Sequence, residues 1–567
     1  MVRWVLALGW GALAAGLHAP PRHAAGRNVG LRAGNEEDVR AELGRRTSED
    51  VAITEVAIAV APAIAAPAAA PVDDHKDLDV LALVGEKLLI AAESDAGVQP
   101  LRERIVVLGS GWGAASLVST LGENAAVTVI SPRNYFLFTP MLAGAAVGTV
   151  EFRSITQPLR SLSPTLDYLE AAATKIDVAN KRVTCEAVVC EGSQCDIEAF
   201  DVDYDRLIVA VGATTNTFGV PGVREHCRFL KEIGDAEGLR QALGNCFERA
   251  NLPSLSDAER RRALSFVVVG AGPTGVEFCA ELRDFLGSEA TKYYPDLLQL
   301  AKVTLLEATT TILGPFDASL REVALEKLRA SVATNNAVEI SPVDVRLGAA
   351  VSEVNQTHVM VGKGDDMKTI PYGICVWATG NGACRVVSDV IPTLGEEQTA
   401  AQPKARGRVA VDRWLRVVGA PAGEVFSLGD CAADASRPLP ATAQVASQQG
   451  EFLARLLLRY DVAAASPARP ADAAVEASWA ESAYCKKENG AVVARPFQFL
   501  NLGILAYVGQ SEALAQIGDS GISVTGRAAF ALWRSVYLAK QLSLRNRLLV
   551  VGDWTRAVLF GRDITRF

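Results

Sequence analysis

Two glycine-rich runs hold the residues best suited to chemistry. The first reads Arg104-Ile-Val-Val-Leu-Gly109-Ser-Gly111-Trp-Gly-Ala114, and the second Phe266-Val-Val-Val-Gly270-Ala-Gly272-Pro-Thr-Gly275-Val-Glu277. In each, an apolar strand-like run opens into glycines and continues into a helical pattern, the context in which this spacing binds a dinucleotide. Gly109 and Gly270 permit the tight turn, and Gly111 and Gly272 let the backbone approach a pyrophosphate. Ala114 and Gly275 are small enough for the helix to sit on its strand. The phosphates then meet free N–H groups at a helix N-terminus.

The strand after each run differs. Residues 127–130 end in Ser131-Pro132-Arg133, where an acidic ribose ligand is usual, whereas residues 303–306 end in Glu307. A carboxylate there accepts hydrogen bonds from an adenosine 2′-OH and repels a 2′-phosphate, so NADH is expected over NADPH. Glu307 follows Gly270 by 37 residues, more than the usual ~20, and the excess reads as a lengthened helical stretch through Tyr294. The plainer alternative is a solvated strand-end residue. The first glycines lie 161 residues apart, an internal duplication of one supersecondary unit. One chain that binds two dinucleotides is built for hydride transfer between them. Supporting turns follow strands at Gly212-Ala213-Thr214 and at Trp377-Ala-Thr379-Gly380, and a third strand delivers Gly429-Asp430. Such an aspartate can hydrogen-bond the ribityl hydroxyls of a flavin. Glu277, at the start of the second helix, is expected to be held ionised by the helix N-terminus and to orient nicotinamide or assist proton movement.

Holding these residues requires α/β architecture. A chain of 567 residues exceeds one hydrophobic core. Two Rossmann-like dinucleotide-binding domains are expected, one for FAD and one for NAD, plus a C-terminal membrane-associating helical region. The boundaries read as 1–100 targeting segment and linker, 101–260 first part of the FAD domain, 261–385 NADH domain, 386–460 second part of the FAD domain, and 461–567 C-terminal membrane-anchoring and dimerisation domain. Residues 1–35 contain Arg3, Arg22, Arg27 and Arg32 without an acid, and residues 4–16 form an apolar run of thirteen, suited to a signal segment and too short to span a bilayer. Pro62, Pro67 and Pro71 argue against a helix in the Ala/Pro run that follows. Net charge is −9, which gives the whole molecule no reason to seek nucleic acid. Residues 524–567 are the exception, with eight Arg or Lys against Asp553 and Asp563, a net +6 interleaved with Trp533, Tyr537, Trp554 and Phe560. That pattern suits an anionic bilayer surface or a dimer interface. The ten cysteines show no CxxC or zinc spacing, so reduced, packed thiols and no metal site are expected. All five histidines lie at or before His358, which removes a histidine base from the last 200 residues.

The motifs taken together resemble the type II NADH:quinone oxidoreductases, flavoproteins with the two-domain pyridine nucleotide-disulfide oxidoreductase fold. The similarity runs essentially from Arg104 to the C-terminus. Beyond the glycine runs it rests on Ser131-Pro-Arg-Asn-Tyr-Phe-Leu-Phe-Thr139-Pro140, Trp377-Ala-Thr-Gly-Asn381, Ala443-Gln444-Val-Ala-Ser447-Gln448, Leu505-Ala-Tyr507-Val-Gly509, Trp533-Arg534 and Phe560-Gly-Arg562-Asp563. The resemblance implies FAD at Gly109, Gly111, Thr139, Pro140 and Asp430, and NADH at Gly270, Gly272, Gly275 and Glu307. It implies a membrane quinone, ubiquinone or plastoquinone, near Gln444 and Ser447. It also implies frequent dimerisation and no proton pumping. Some members carry His where this chain has Ser447, so a histidine proton donor is not available, and no twelve-residue calcium loop is found. The location expected is peripheral on an organellar membrane, the mitochondrial inner membrane ahead of the plastid thylakoid. Two rival readings stand beside this one. A sulfide:quinone oxidoreductase would need a cysteine pair by the flavin, for which Cys375 and Cys431 are candidates. A non-enzymatic, redox-sensing flavoprotein would bind a partner without quinone turnover.

Overall fold

Ile105 to Leu108 and Phe266 to Val269 are runs of consecutive buried apolar side chains, the pattern of parallel strands covered on both faces. In the computed structural model they are the central strands of two five-stranded parallel sheets. The structure describes residues 101–191, 194–333, 339–464, 485–488, 491–518 and 521–565; the expected targeting segment and linker of 1–100 lie outside these.

The first sheet runs Val425–Ser427, Arg206–Val209, Leu101–Leu108, Ala125–Ile130, Leu166–Leu169. The second runs Arg228–Phe229, Ile374–Trp377, Ser265–Val269, Lys302–Leu306, Asp344–Arg346. Each half also places a three-stranded antiparallel meander just before the strand that returns beside its glycine-turn strand, at 172–203 before Arg206–Val209 and at 351–371 before Ile374–Trp377. The duplication thus covers four strands and the meander of each half, but not the edge strands Val425–Ser427 and Arg228–Phe229. One detail differs from the boundaries read in the sequence: the second sheet takes its edge strand from Arg228–Phe229, before residue 261. The first sheet is completed by Val425–Ser427, which lies in the segment 386–460 read as the second part of that half.

Helix Trp112–Leu121 packs on helix Ala443–Arg459 at a glycine crossing, where a Cβ on Gly450 would lie 2.3 Å from the Gly113 carbonyl oxygen. The excess spacing before Glu307 is helical, as expected: helix Pro273–Phe285 continues through a wider π turn, Leu286–Ala290, and Pro295–Leu300. The C-terminal part is a three-stranded antiparallel sheet, Ile504–Gly509, Glu512–Ile517 and Ile522–Thr525, followed by helices Gly526–Ala539 and Leu544–Phe560.

One expectation about cysteine is corrected. Cys190 and Cys195 form a disulfide, because they are directly paired across the hairpin of Arg182–Glu191 and Gln194–Asp203. The spacing of five residues gives no hint of this without the hairpin register.

Candidate functional site

The two glycine turns have nearly the same geometry. Gly109 and Gly270 have φ of +106° and +104°, a region open to glycine. Each N–H donates across the sheet, to Ile130 O and Leu306 O, at 2.8 Å in both cases. A Cβ at Gly109 would lie 2.4 Å from Ala210 O, and one at Gly275 1.9 Å from Gly270 O, so both turns are closed by backbone packing. Ala114 is buried beside the first turn. The middle glycines differ in kind: a Cβ on Gly111 or Gly272 would meet nothing within 4 Å. Each begins a helix, Trp112–Leu121 or Pro273–Phe285. An open space at a helix N-terminus beside a closed turn fits a pyrophosphate, once in each half.

The carboxylates beside the turns are also placed. Glu307 accepts from Ala271 N and Thr309 N, both at 2.8 Å, which fixes it at the rim of the second turn. Asp430 follows strand Val425–Ser427 on the turn made by Gly429, whose N–H donates to Gln449 Oε1 at 2.7 Å. Burial pushes the Asp430 carboxyl up, while Lys231 and Arg408 favour its charged form. Lys231 carries no motif, and its Nζ donates to Asn381 Oδ1 at 3.2 Å. Thr139 accepts from Trp112 Nε1 at 3.1 Å, which ties Thr139-Pro140 to the first glycine helix. Gly380 directly precedes the ribbon of Ala213–Thr215 with Asn381–Ala383, and its carbonyl accepts from Asn216 N at 3.2 Å, so the supporting turns of the two halves run side by side.

Glu277 departs from expectation. It is buried, and burial pushes its carboxyl up to about 8; the Tyr507 backbone N–H, at 3.2 Å, and the Trp533 indole favour the charged form, whereas Glu281 opposes it. The helix N-terminus therefore does not hold it ionised, because strand Ile504–Gly509 and helix Gly526–Ala539 seal it from water. It lines a small cavity, with room for about one water, together with Pro140, Gly144, Glu281, Tyr507 and Trp533. Tyr507, Trp533 and Glu281 are the residues that the motifs leave without a role. The aromatic spacing of Trp533 and Tyr537, four apart with ring centroids at 4.5 Å, is the local signal that these rings share a helix face.

Gln444 and Ser447 stand elsewhere. Gln444 Oε1 accepts from Leu502 N at 3.3 Å, and Gln448 makes both a donor and an acceptor bond to the Leu500 backbone at 2.9 Å. Ser447 Oγ lies 2.7 Å from Ser116 Oγ on the first glycine helix. Among the described residues lining the Glu277 cavity, neither Gln444 nor Ser447 is found. The cysteines named for the sulfide reading are not a pair: Cys375 Sγ lies 3.4 Å from Cys227 Sγ, and Cys431 Sγ donates to Val209 O and Leu428 O. Among the described residues no group of His, Cys, Asp and Glu could hold a metal ion.

The chain has clear relatives. The sequence profile of the pyridine nucleotide-disulphide oxidoreductases matches residues 103–450, and that of the NDH2 C-terminal domain matches residues 501–563. The external alternative NAD(P)H-ubiquinone oxidoreductase B3, mitochondrial, of Arabidopsis thaliana is 34% identical over 592 aligned residues, covering 87% of this chain and 96% of that one. The external NADH-ubiquinone oxidoreductase 2, mitochondrial, of Saccharomyces cerevisiae is 37% identical and covers 82% of each chain. NDH2 from Plasmodium falciparum, solved in complex with NADH, has the same fold with a TM-score of 0.69 at 22% identity, over 82% of this chain and 100% of that one. The chain belongs to the pyridine nucleotide-disulphide oxidoreductase family and, within it, to the type II NADH dehydrogenases.

Proposed function

We infer that the protein catalyses NADH + H⁺ + quinone → NAD⁺ + quinol at a membrane surface, without ion transport. The observation that carries this reading is the pair of matching glycine turns, each open at its middle glycine, with an acidic strand end only on the second. Gly109, Gly111, Ala114, Thr139, Pro140, Gly429 and Asp430 would hold FAD. When bound, FAD supplies a two-electron carrier between the nicotinamide and the quinone. Gly270, Gly272, Gly275, Gly380 and Glu307 bind and orient NADH. Glu277 holds a proton at the cavity beside Pro140, where an acid with a value about 8 is matched to neutral pH. Gln444 and Ser447, near the start of helix Ala443–Arg459, would orient the quinone head group, as the resemblance of residues 443–448 to the family implies. The names of the relatives point to ubiquinone and to mitochondria. The test is an assay of the purified full chain with NADH and a short-chain ubiquinone. Quinol formation is expected, and no turnover with either NADH or NADPH would refute the reading. Sulfide as donor is expected to give none.

Glu307→Gln is expected to raise kcat/KM for NADPH relative to NADH by about tenfold, or ~1.4 kcal/mol, because one negative charge no longer faces the 2′-phosphate. An unchanged ratio would remove Glu307 from the ribose site.

Membrane attachment is assigned to helix Leu544–Phe560. Asn546, Val550 and Trp554 face inward, four residues apart, while Leu544, Leu548 and Val558 on the other side are 68%, 64% and 76% exposed. Among the described residues no helix is long and apolar enough to cross a membrane, so this face would lie in the interfacial plane. Arg545 and Arg547 would add about 1 kcal/mol each on anionic lipid. Because Trp533 and Trp554 are core residues, deleting the tail would damage the fold, and point changes are the better test. Leu548→Glu with Val558→Glu is expected to release the protein from anionic vesicles in a sedimentation assay, with retained flavin. If the double variant still sediments, attachment lies elsewhere; if it changes from dimer to monomer, the same face joins two copies.

A further inference from the structure

Helix Pro273–Phe285 carries a second buried acid one turn beyond Glu277, and the scheme above has no use for it. Glu281 is 6% exposed, and its Oε2 accepts from Thr149 Oγ1 at 2.7 Å. Arg562, from the segment after the last helix, brings Nη2 to 3.5 Å from the same oxygen. Its Nε donates to Thr149 Oγ1 at 2.9 Å, and its Nη1 donates to the exposed Ser288 Oγ at 2.7 Å. The segment is tightly seated: Arg562 N donates to Glu289 Oε1 at 3.0 Å, and a Cβ on Gly561 would lie 2.8 Å from Glu289 Oε2. Arg562 therefore reaches from a solvent-facing hydroxyl to a buried carboxyl.

Stability does not account for this arrangement. A buried ion pair costs desolvation that its attraction barely repays, and well-packed apolar side chains in its place are often as stable or more so. The geometry points instead to proton handling. Glu277 and Glu281 line one cavity, and i, i+4 spacing puts them on one helix face. The space between them has room for about one bridging water. The surroundings act on Glu281 in opposite senses. Burial pushes its carboxyl up, and Asp284 on the same helix adds to this. Arg562, the Thr149 hydroxyl and Arg534 on helix Gly526–Ala539 favour the charged form. Tyr507, on the strand packed over this helix, donates its hydroxyl to Asp284.

We propose that Glu281 is the relay that brings the solvent proton to Glu277, with Arg562 and Thr149 as its positioning residues. The proposal rests on the NADH:quinone reading. That reaction takes one hydrogen from NADH as hydride and one proton from water. The Glu277 O–H bond breaks as the quinone oxygen gains its proton, the Glu281 O–H proton then restores Glu277, and Glu281 recovers a proton from water beside the Arg562–Ser288 contact. Both acids end each turnover as they began.

The test compares two acceptors, ubiquinone-1, which needs protons, and ferricyanide, which takes electrons alone. In Glu281→Gln the ratio of quinone rate to ferricyanide rate is expected to fall at least about tenfold. The double variant Glu281→Gln with Arg562→Gln removes both buried charges, and is expected to show the same fall if the single variant folds poorly. Apart from turnover, an infrared pH titration of wild type should show two buried carboxylic-acid C=O bands, one of which is missing in Glu281→Gln. An unchanged rate ratio in both variants, or an equal loss with both acceptors, would overturn the relay and leave Glu281 a structural residue. Wild-type protein that reduces neither acceptor would defeat the functional reading itself.

Discussion

Glu277→Gln is expected to lower NADH:quinone turnover by about a hundredfold in a protein that keeps its flavin. The glutamine fills the same space and still offers an oxygen to the Tyr507 N–H, but it has no proton to give. The dependence on pH has a defined sign. Burial raises this carboxyl from its ordinary 4.5 to about 8, so the wild-type group carries its proton at neutral pH. Turnover that draws on that proton falls as pH rises through about 8, and the variant should lose this limb of the profile. Stability follows the same linkage. The raised value means that the folded chain keeps a proton that the unfolded chain releases, so the contribution of Glu277 is complete below about 4.5 and is lost as pH rises through about 8. Thermal unfolding at pH 6 and pH 9 should show wild type losing more stability than the variant. A variant with wild-type kcat and an unaltered alkaline limb would exclude Glu277 from proton transfer.

The middle glycines give the second large effect, and they separate the two nucleotides. Gly111→Val should yield a folded, colourless protein, whereas Gly272→Val should yield a yellow protein that binds NADH roughly a hundredfold more weakly, a loss of about 2.7 kcal/mol. Both positions have ordinary extended backbone, with φ of −80° and −71°, and open space at the Cβ, so neither substitution strains the fold. What each removes is room for a pyrophosphate against the helix N-terminus. Gly275→Val is the control of opposite kind: its Cβ would lie 1.9 Å from Gly270 O, and the helix could not stay on its strand. Flavin absorbance after gel filtration and NADH titration of the bound flavin read the two outcomes. A Gly272→Val protein with wild-type NADH affinity would place the nucleotide elsewhere.

The parts of this molecule that were legible in the sequence are those governed by neighbours along the chain. A strand, a glycine turn and a helix start form one local unit, so both turns, Glu307 at its strand end and Gly429-Asp430 could be read directly. The protonation state of Glu277 could not. Counted along its own helix it lies near a favourable N-terminus, but its environment is set by Tyr507 and Trp533, more than two hundred residues away. The Cys190–Cys195 bond depends on hairpin register, and the pairing of Arg562 with Glu281 on where the last segment returns. Motifs mark Tyr507, Trp533 and Arg562 as distinctive, while only the packing says what they touch. The edge strand Arg228–Phe229 was missed because two residues carry no periodicity of their own.

The order of strands in the two sheets also bears on how the protein is made. The second sheet is complete once Ile374–Trp377 has been synthesised, whereas the first waits for Val425–Ser427. As the chain leaves the ribosome, the nicotinamide half can close while the flavin half still has an open sheet edge beside Arg206–Val209. Unpaired strand edges of that kind invite association with other chains. Flavin supply and chaperone capacity should therefore matter most late in translation, and polypeptides truncated before residue 425 should aggregate more readily than those that include it.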